Sequence, residues 1–212
     1  MFASKIKKVI YSFFVLKIQP KGDRRNYYEL SIERESLRAS QQLIKIRTED
    51  IFETETEILF RDIHLSKNLK SFIGDLGTPN FKFTTKYFHS NHNVLIYKKT
   101  FCGYNSKIVI NTLNDKVLNC AYHIKIDDTI KLGQIKLAIK NKYQIENTDS
   151  DNFLIIDKAG NKILFKFQFD LTITYINTSS DIQRIIENVF EDEIHLKEIY
   201  KQKQLETLIS AF

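Results

Sequence analysis

The stretch ILFKFQFDLTITY at Ile163–Tyr175 decides which fold is predicted, because hydrophobic and polar side chains alternate along it. The odd positions are all hydrophobic: Ile163, Phe165, Phe167, Phe169, Leu171, Ile173 and Tyr175. The even positions are polar apart from Leu164: Lys166, Gln168, Asp170, Thr172 and Thr174. Successive side chains of a strand point to opposite faces. The spacing therefore predicts one long antiparallel strand whose odd face is buried under helices.

The polar side chains on the other face of this stretch are the first candidates for binding. If the odd face is core, the even positions lie on an exposed face of the sheet. We therefore predict Lys166, Gln168, Asp170, Thr172 and Thr174 as candidate partner-binding residues.

A helix followed by a run of strands is predicted upstream of this stretch. Ser66 suits a helix N-cap. The helix ends at Gly77-Thr78-Pro79, since glycine accepts a left-handed cap and proline cannot continue the hydrogen-bond ladder. Four strands separated by short polar turns follow: Phe81–Phe88, Val94–Thr100, Lys107–Leu113 and Val117–Ile124.

A second and shorter round repeats this order. A helix capped by Asp128 or Thr129 is predicted first, then a strand at Phe153–Ile156, and finally Ile163–Tyr175. The hydrophobic stripe of the helix includes Ile130, Leu132, Ile135 and Ile139. Two such rounds indicate a weak tandem α-β repeat.

The C-terminal region is helical, because Ile182, Ile185, Ile186, Val189 and Phe190 have the spacing of one helix face. The hydrophobic stripe resumes at Leu196 after three acidic residues, so the pattern indicates one long bent helix or two helices. The prediction is an α+β protein: antiparallel sheet with helices packed on one face and a helical C-terminus. Its predicted segments are 1–63, an N-terminal strand or helix region; 64–126, a helix and meander; 127–178, a second α-β unit; and 179–212, helical.

The N-terminal residues leave two alternatives open. Residues 4–18 fit either a basic amphipathic helix or a strand, and a turn at 20–23 and a strand at 27–32 follow. The hydrophobic run Val9–Leu16 is too short to span a membrane, and no cleavage site of a signal peptide follows it. We predict a cytoplasmic protein, with peripheral membrane contact by residues 1–18 as the alternative. Only 2 cysteines, Cys102 and Cys120, far apart and in no CxxC motif, favour a reducing compartment.

Composition and charge bound the classes of function. The 6 glycines form neither GxGxxG nor GxxxxGK[ST], which excludes the common dinucleotide and P-loop sites. The net charge is +6, and lysines are concentrated in residues 64–145, which indicates either a solvated surface or a nucleic-acid interface. Lysines interleaved with aromatic residues on predicted strands are the candidate nucleic-acid contacts: Lys82, Lys86, Lys98 and Lys99.

The motifs that could carry chemistry all have a simpler structural explanation. His89 and His92 form an HxxH pair, but their polar neighbours predict a surface turn and no further ligand is nearby. Cys102 or Cys120 could form a thiol–imidazole pair with His123, but Cys120 has the spacing of a core residue, which leaves Cys102, at a turn, as the better reactive thiol. Asp149-Ser-Asp151-Asn152 predicts a polar loop. Glu53, Glu55 and Glu57 would share one face of a strand, which could bind a cation or a basic partner or could be a solvated edge. We therefore predict no cofactor, no metal site and no catalytic residue.

The round Ser66–Ile124, with its helix, its Leu76-Gly77-Thr78-Pro79 stop and its strands, resembles a known module. This is the module of the β-lactamase-inhibitor-protein-like superfamily, which includes small outer-membrane lipoproteins. In that superfamily a helical hairpin ends in a Leu-Gly-x-Pro-like stop and packs on an antiparallel sheet. The second round of this chain lacks the Gly-x-Pro stop. The resemblance implies a non-catalytic sheet that binds another protein.

The composition is also similar to that of small cytoplasmic immunity proteins of bacterial toxin systems, which expose a face to one partner. The leading hypothesis is thus a non-catalytic protein-binding module, an inhibitor or an immunity-type protein. The alternative is a basic nucleic-acid-binding protein that uses the lysine-rich strands of residues 64–145. An enzyme of unrecognised type is the third hypothesis.

Overall fold

The computed structural model describes residues 37–87, 89–101, 103–126, 128–146 and 149–209. Within these ranges the helices are α1 (Leu37–Ile44), α2 (Leu69–Leu76), α3 (Thr129–Tyr143) and α4 (Ser180–Ile209). The strands are β1 (Asp50–Thr54), β2 (Leu59–Phe60), β3 (Ile63–His64), β4 (Phe81–Tyr87), β5 (Ser90–Phe101), β6 (Tyr104–Leu113), β7 (Lys116–Ile124), β8 (Asn152–Asp157), β9 (Lys162–Phe167) and β10 (Leu171–Ile176). The predictions for residues 4–18, 20–23 and 27–32 lie outside the described residues.

Eight of the strands form one sheet in the order β1-β8-β9-β10-β7-β6-β5-β4. Every neighbouring pair is antiparallel except β1 and β8, which are parallel. Helix α2 precedes the meander β4–β7, helix α3 precedes the meander β8–β10, and the two meanders meet through their last strands, β7 and β10. The α+β class, the mostly antiparallel sheet and the helical C-terminus are confirmed. The sheet runs without interruption across the boundary that the sequence suggested near residue 127.

Helices pack against both faces of this sheet, whereas the sequence predicted them on one. The face that carries Tyr97, Tyr122 and Phe165 packs against α2, α3 and the small β2–β3 hairpin, and we call it the α2/α3 face. The opposite face carries Leu118 and Leu164, and α1 and α4 pack against it. We call this the α1/α4 face. It attracts helices because its positions near the centre of the sheet are also hydrophobic.

Local signals set the helix ends. The N-cap of α2 is Asn68 and not Ser66: Asn68 forms an isolated bridge with Lys116, and its side chain accepts a hydrogen bond from the Ser71 N–H at 3.3 Å. Gly77 ends the helix with φ 78°, as predicted. Asp128 caps α3: its side chain accepts hydrogen bonds from the backbone N–H groups of Ile130 and Lys131.

Two hydrophobic residues that were predicted in the core are exposed. Ile130 is 73% exposed because it lies in the first turn of α3, about 200° around the helix from Leu132, which is buried. The second is Phe169. The chain reverses at residues 168–170, so the single long strand predicted over Ile163–Tyr175 is wrong, and β9 and β10 form an antiparallel hairpin.

Candidate partner-binding surface

The β9–β10 hairpin keeps the predicted buried face although it breaks the predicted strand. Phe167 pairs with Leu171, and Phe165 with Ile173. The loop between the closing pair contains three residues, so odd positions on β9 lie opposite odd positions on β10 and share one face. Phe165, Leu171 and Ile173 are therefore buried on the α2/α3 face as expected. Phe169, in the middle of the loop, is the odd-numbered residue that is exposed.

Phe169 lies at the tip of the hairpin, and 93% of its surface is exposed. Gln168 and Asp170, which flank it, are also exposed. Neither neighbour covers the ring, although a large aromatic side chain has a strong tendency to be buried. The sequence assigned Phe169 to the core because period two counts every second residue and does not detect a reversal. The alternating pattern is longer than a usual strand, which has about 3–10 residues. This length was the available signal that the chain turns back within it.

The hairpin is held firmly at its base. Strand β10 pairs with β9 on one side and with β7 on the other, so Leu171 lies opposite both Phe167 and Ile124. The neighbouring strands β9, β10 and β7 thus fix the positions from which the tip projects. Because the base of the hairpin is fixed in the sheet, only the three residues of the loop remain to be ordered when a partner binds there.

The predicted partner-binding residues divide between surface and interior. Lys166, Gln168 and Asp170 are exposed near the tip, and Thr172 is half-buried. Thr174 is buried on the α1/α4 face, opposite Ala121 and Leu164, so a partner cannot reach it. The period-two pattern placed these residues on one face, and the helices that cover part of this face separate them.

Strand pairing places Thr172 and Lys166 in a row with residues that the sequence did not connect to them. The directly opposed pairs across the α1/α4 face are Lys98–Lys107, Lys107–His123, His123–Thr172 and Thr172–Lys166. We call these five residues the basic row. It contains one predicted nucleic-acid contact, Lys98, and two predicted partner contacts, and it lies beside the hairpin tip. The sequence could not reveal this row, because register between distant strands brings its members together.

The other predicted nucleic-acid contacts lie elsewhere. Lys82, Lys86 and Lys99 project from the α2/α3 face, since they alternate with the hydrophobic residues of the opposite face. Lys82 lines an open groove of about 450 Å³, together with Thr84, Asn91, Asn93, Asn114 and Asp115. The four lysines are therefore divided between two faces of the sheet.

The pair of Cys120 and His123 does not form. Cys120 and His123 are three residues apart on β7 and therefore lie on opposite faces of the sheet. Cys120 is fully buried, as predicted, and burial raises the pKa of its thiol well above the usual value. A neutral buried thiol is a poor nucleophile. Cys102 lies outside the described residues.

The two histidines of the HxxH pair are also separated. His89 is exposed in the β4–β5 turn, but the prediction of a surface turn is wrong for His92, which is buried on β5 with its ring 6.2 Å from that of Tyr87. In the described part of the chain, no group of three or more His, Cys, Asp and Glu side chains is placed to hold a metal ion.

The acidic sequences form ordinary surface contacts. Glu53 lies on β1, whereas Glu55 and Glu57 lie in the following loop and pair with Lys158 and His64. They do not form one acidic strand face. Asp151 pairs with Lys136 at 2.5 Å in the exposed loop before β8.

None of the described helices combines the length and the hydrophobicity that crossing a membrane requires. Comparison with known protein families, with curated proteins and with solved structures finds no match to this chain. The surface near the β9–β10 tip therefore has to be interpreted from its own geometry.

Proposed function

We propose that this protein is a non-catalytic protein-binding module and that its partner contacts the tip of the β9–β10 hairpin. The observation that carries this proposal is the exposure of Phe169 on a projecting turn whose base is paired within the sheet. Aromatic side chains that fill a partner's pocket supply much of the binding energy at protein interfaces. A short loop on a paired base loses less entropy when it binds than a long free segment does.

The residues around Phe169 suit the rim of such an interface. Lys166, Gln168 and Asp170 provide a cation, an amide and a carboxylate beside the ring, and all three are exposed. Interfaces commonly surround a hydrophobic centre with a polar rim. The partner expected from this chemistry is a folded protein with a hydrophobic cleft edged by polar groups.

An inhibitor or immunity-type role is the form of protein binding that we propose. A projecting hairpin can enter and block a cleft in a partner. The order of helix and meander occurs twice here, and the resemblance to the β-lactamase-inhibitor-protein-like module, which rests on Ser66–Ile124, implies a sheet that binds another protein. The resemblance adds support for a role in binding and does not identify the partner.

The test is affinity capture from native lysate with three immobilised chains: wild type, Phe169→Ala and Leu137→Ala. Leu137 is an exposed hydrophobic residue on α3, so its truncation is a matched control. We expect wild type and the control to retain the same stoichiometric partner. Phe169→Ala should weaken binding about 30-fold, the effect of losing roughly 2 kcal/mol at a hot spot. Failure of wild type to retain any stoichiometric partner, or equal retention by Phe169→Ala, would contradict the proposal.

Nucleic-acid binding is the second candidate, and the basic row favours it. Lys98 and Lys107 are directly opposed on neighbouring strands, and Lys166 lies further along the same row. Directly opposed like charges raise the local positive potential, which attracts phosphate groups. If this candidate is correct, Lys166→Glu should weaken binding to random single-stranded oligonucleotides, and affinity should fall steeply with salt.

Lys82→Glu and Lys86→Glu are the controls for this measurement, because both residues lie on the opposite face. They carry the same change of charge and should have a smaller effect than Lys166→Glu. No detectable oligonucleotide binding at low salt would eliminate this candidate. An effect confined to Lys82 and Lys86 would move the interface to the α2/α3 face.

A further inference from the structure

The second half of α4 extends away from the rest of the described structure. Every residue from Tyr200 to Ile209 is exposed, on all sides of the helix. Several of these residues are large and hydrophobic, and Leu205 and Leu208 are 59% and 58% exposed. Ile194, further back on the helix, is exposed to the same degree. Exposed hydrophobic residues that repeat along one element indicate an interaction surface.

Three of the exposed hydrophobic residues, Ile194, Leu205 and Leu208, fall on a heptad spacing, whereas Tyr200 and Ile209 do not. Ile194, Glu198, Lys201, Leu205 and Leu208 are separated by 4, 3, 4 and 3 residues. This spacing places all five along one seam of the helix, and it is the spacing by which two helices pack side by side. The centre of the seam carries one acid and one base, and the flanking positions are hydrophobic.

We infer that this seam binds the same seam of a second copy of the chain, in antiparallel orientation. When two such helices align with Ile194 opposite Leu205, Glu198 lies opposite Lys201 of the other copy. The two-fold symmetry repeats both contacts on the other side of the centre. From Ile194 to Leu205 the pattern is thus self-complementary in charge and in hydrophobicity, and Leu208 lies beyond this paired part, opposite Glu191.

The alternative orientation lacks this complementarity. In a parallel pair each seam residue lies opposite itself, so Glu198 would meet Glu198 and Lys201 would meet Lys201. Like charges at the centre of the seam would oppose association. Charge complementarity therefore selects the antiparallel pair.

The first half of α4 is anchored on the sheet, and this favours the contact. Ile182, Ile186 and Val189 anchor its first half on the sheet, so much of the cost of ordering the second half is already met. The paired part of the seam, from Ile194 to Leu205, is about 17 Å long at 1.5 Å per residue. A contact of this length is small, and we expect a dissociation constant on the order of micromolar. The surface is separate from the β9–β10 tip, so the inference does not depend on the proposed function.

Charge exchange tests the inference with the full-length chain by sedimentation equilibrium. Glu198→Lys alone and Lys201→Glu alone should each raise the dissociation constant on the order of tenfold, because each places like charges opposite one another. A mixture of the two variants should restore wild-type association, as a heterodimer. The double variant E198K/K201E should restore it within one chain.

Matched controls carry the same changes of charge away from the seam. Glu206→Lys and Lys203→Glu lie on exposed positions beside and behind the seam, and they should leave association unchanged. Circular dichroism should show equal thermal stability of all variants at concentrations that favour the monomer. Leu205→Asp should abolish association, since it places a charge at a hydrophobic position of the seam.

Two results would overturn the inference. One is a wild-type chain that remains monomeric at about 100 µM, well above the expected dissociation constant. This result would leave the seam to a partner of another kind. The other is a dimer that the single substitutions do not weaken or that the mixture does not restore, because its interface would then lie elsewhere or have another orientation.

Discussion

The two halves of α4 contain the same kinds of residue and have opposite environments. In the first half Ile182, Ile186 and Val189 are buried against the α1/α4 face of the sheet. In the second half Leu205 and Leu208 are exposed, on a continuation of the same helix. The difference lies in what is beneath each half, since strands β7 to β10 supply hydrophobic side chains only under the first. A hydrophobic stripe in the sequence therefore indicates a helix and a surface to be covered, but it does not identify the cover.

The two aromatic residues Phe165 and Phe169 repeat this contrast on the hairpin. Phe165 is fully buried and stacks on Phe153 with ring centroids 4.7 Å apart. Phe169 has the same place in the alternation and is exposed at the tip. Equivalent positions in a pattern can thus be buried in one case and exposed in the other.

The hairpin provides the largest expected contrast in stability. Phe165→Ala should lower the free energy of unfolding by about 4 kcal/mol, because it removes buried surface and leaves a cavity. Phe169→Ala should change it by less than about 0.5 kcal/mol, the usual effect of a surface substitution. Denaturant unfolding of both variants measures the difference. A comparable loss for Phe169→Ala would show that the ring is packed and not available to a partner.

Substitutions in the two halves of α4 should show the same contrast in their effect on the free energy of unfolding. Ile186→Ala should cost about 3 kcal/mol, and Leu205→Ala less than about 0.5 kcal/mol at concentrations that favour the monomer. Urea unfolding monitored by circular dichroism measures both. If Leu205→Ala cost as much as Ile186→Ala in the monomer, the second half of the helix would be part of the core and the contrast would fail.

The segment between β10 and α4 sets where the helix begins to pack on the sheet. Asn177 holds this segment in place. Its side chain is buried and donates hydrogen bonds to the carbonyl oxygens of Leu65 and Val117, both at 3.0 Å. Its Oδ1 accepts a hydrogen bond from the Ser179 N–H at 3.1 Å. Asn177→Ala should cost about 2 kcal/mol, because buried carbonyl groups lose their donors. An unfolding free energy unchanged within about 0.5 kcal/mol would show that these bonds do not anchor the helix.

Two tyrosines extend the comparison to ionisable groups. Tyr97 is fully buried, and its hydroxyl has no hydrogen-bond partner within the described ranges, whereas Tyr200 is exposed on the second half of α4. Tyr97→Phe should stabilise the protein by about 1 kcal/mol, since it removes an unsatisfied buried hydroxyl. Tyr200→Phe is the control and should have no effect on the monomer.

The burial of Tyr97 also predicts that the free energy of unfolding depends on pH in the alkaline range. Burial raises the pKa of Tyr97 to about 12, whereas an unfolded tyrosine has a pKa of about 10. The unfolded chain therefore loses this proton first, so the stability contributed by neutral Tyr97 is complete below about pH 10 and is lost as pH rises towards 12. Unfolding free energies measured across this window should fall less steeply for Tyr97→Phe than for wild type. Equal slopes would show that Tyr97 ionises as readily in the folded protein.

Much of the fold could be predicted because its signals are local. Four strand predictions between Phe81 and Ile124 agree with β4 to β7, and Gly77 and Asp128 mark helix ends through their own backbone and side-chain geometry. The candidate surface was predicted in part: Lys166, Gln168 and Asp170 are exposed beside the tip. Phe169 was missed, since an alternating pattern does not report where the chain turns back.

What the sequence by itself determined was the class of the fold, the strand order of the first meander and the exposed polar residues near the tip. Only the tertiary structure decided that Lys98, Lys107 and Lys166 share one row, because pairing between strands distant in sequence sets the register. It also decided which half of α4 is covered. The physical reason is common to both: alternation and helical spacing act over a few residues, whereas burial depends on surfaces that distant parts of the chain bring together.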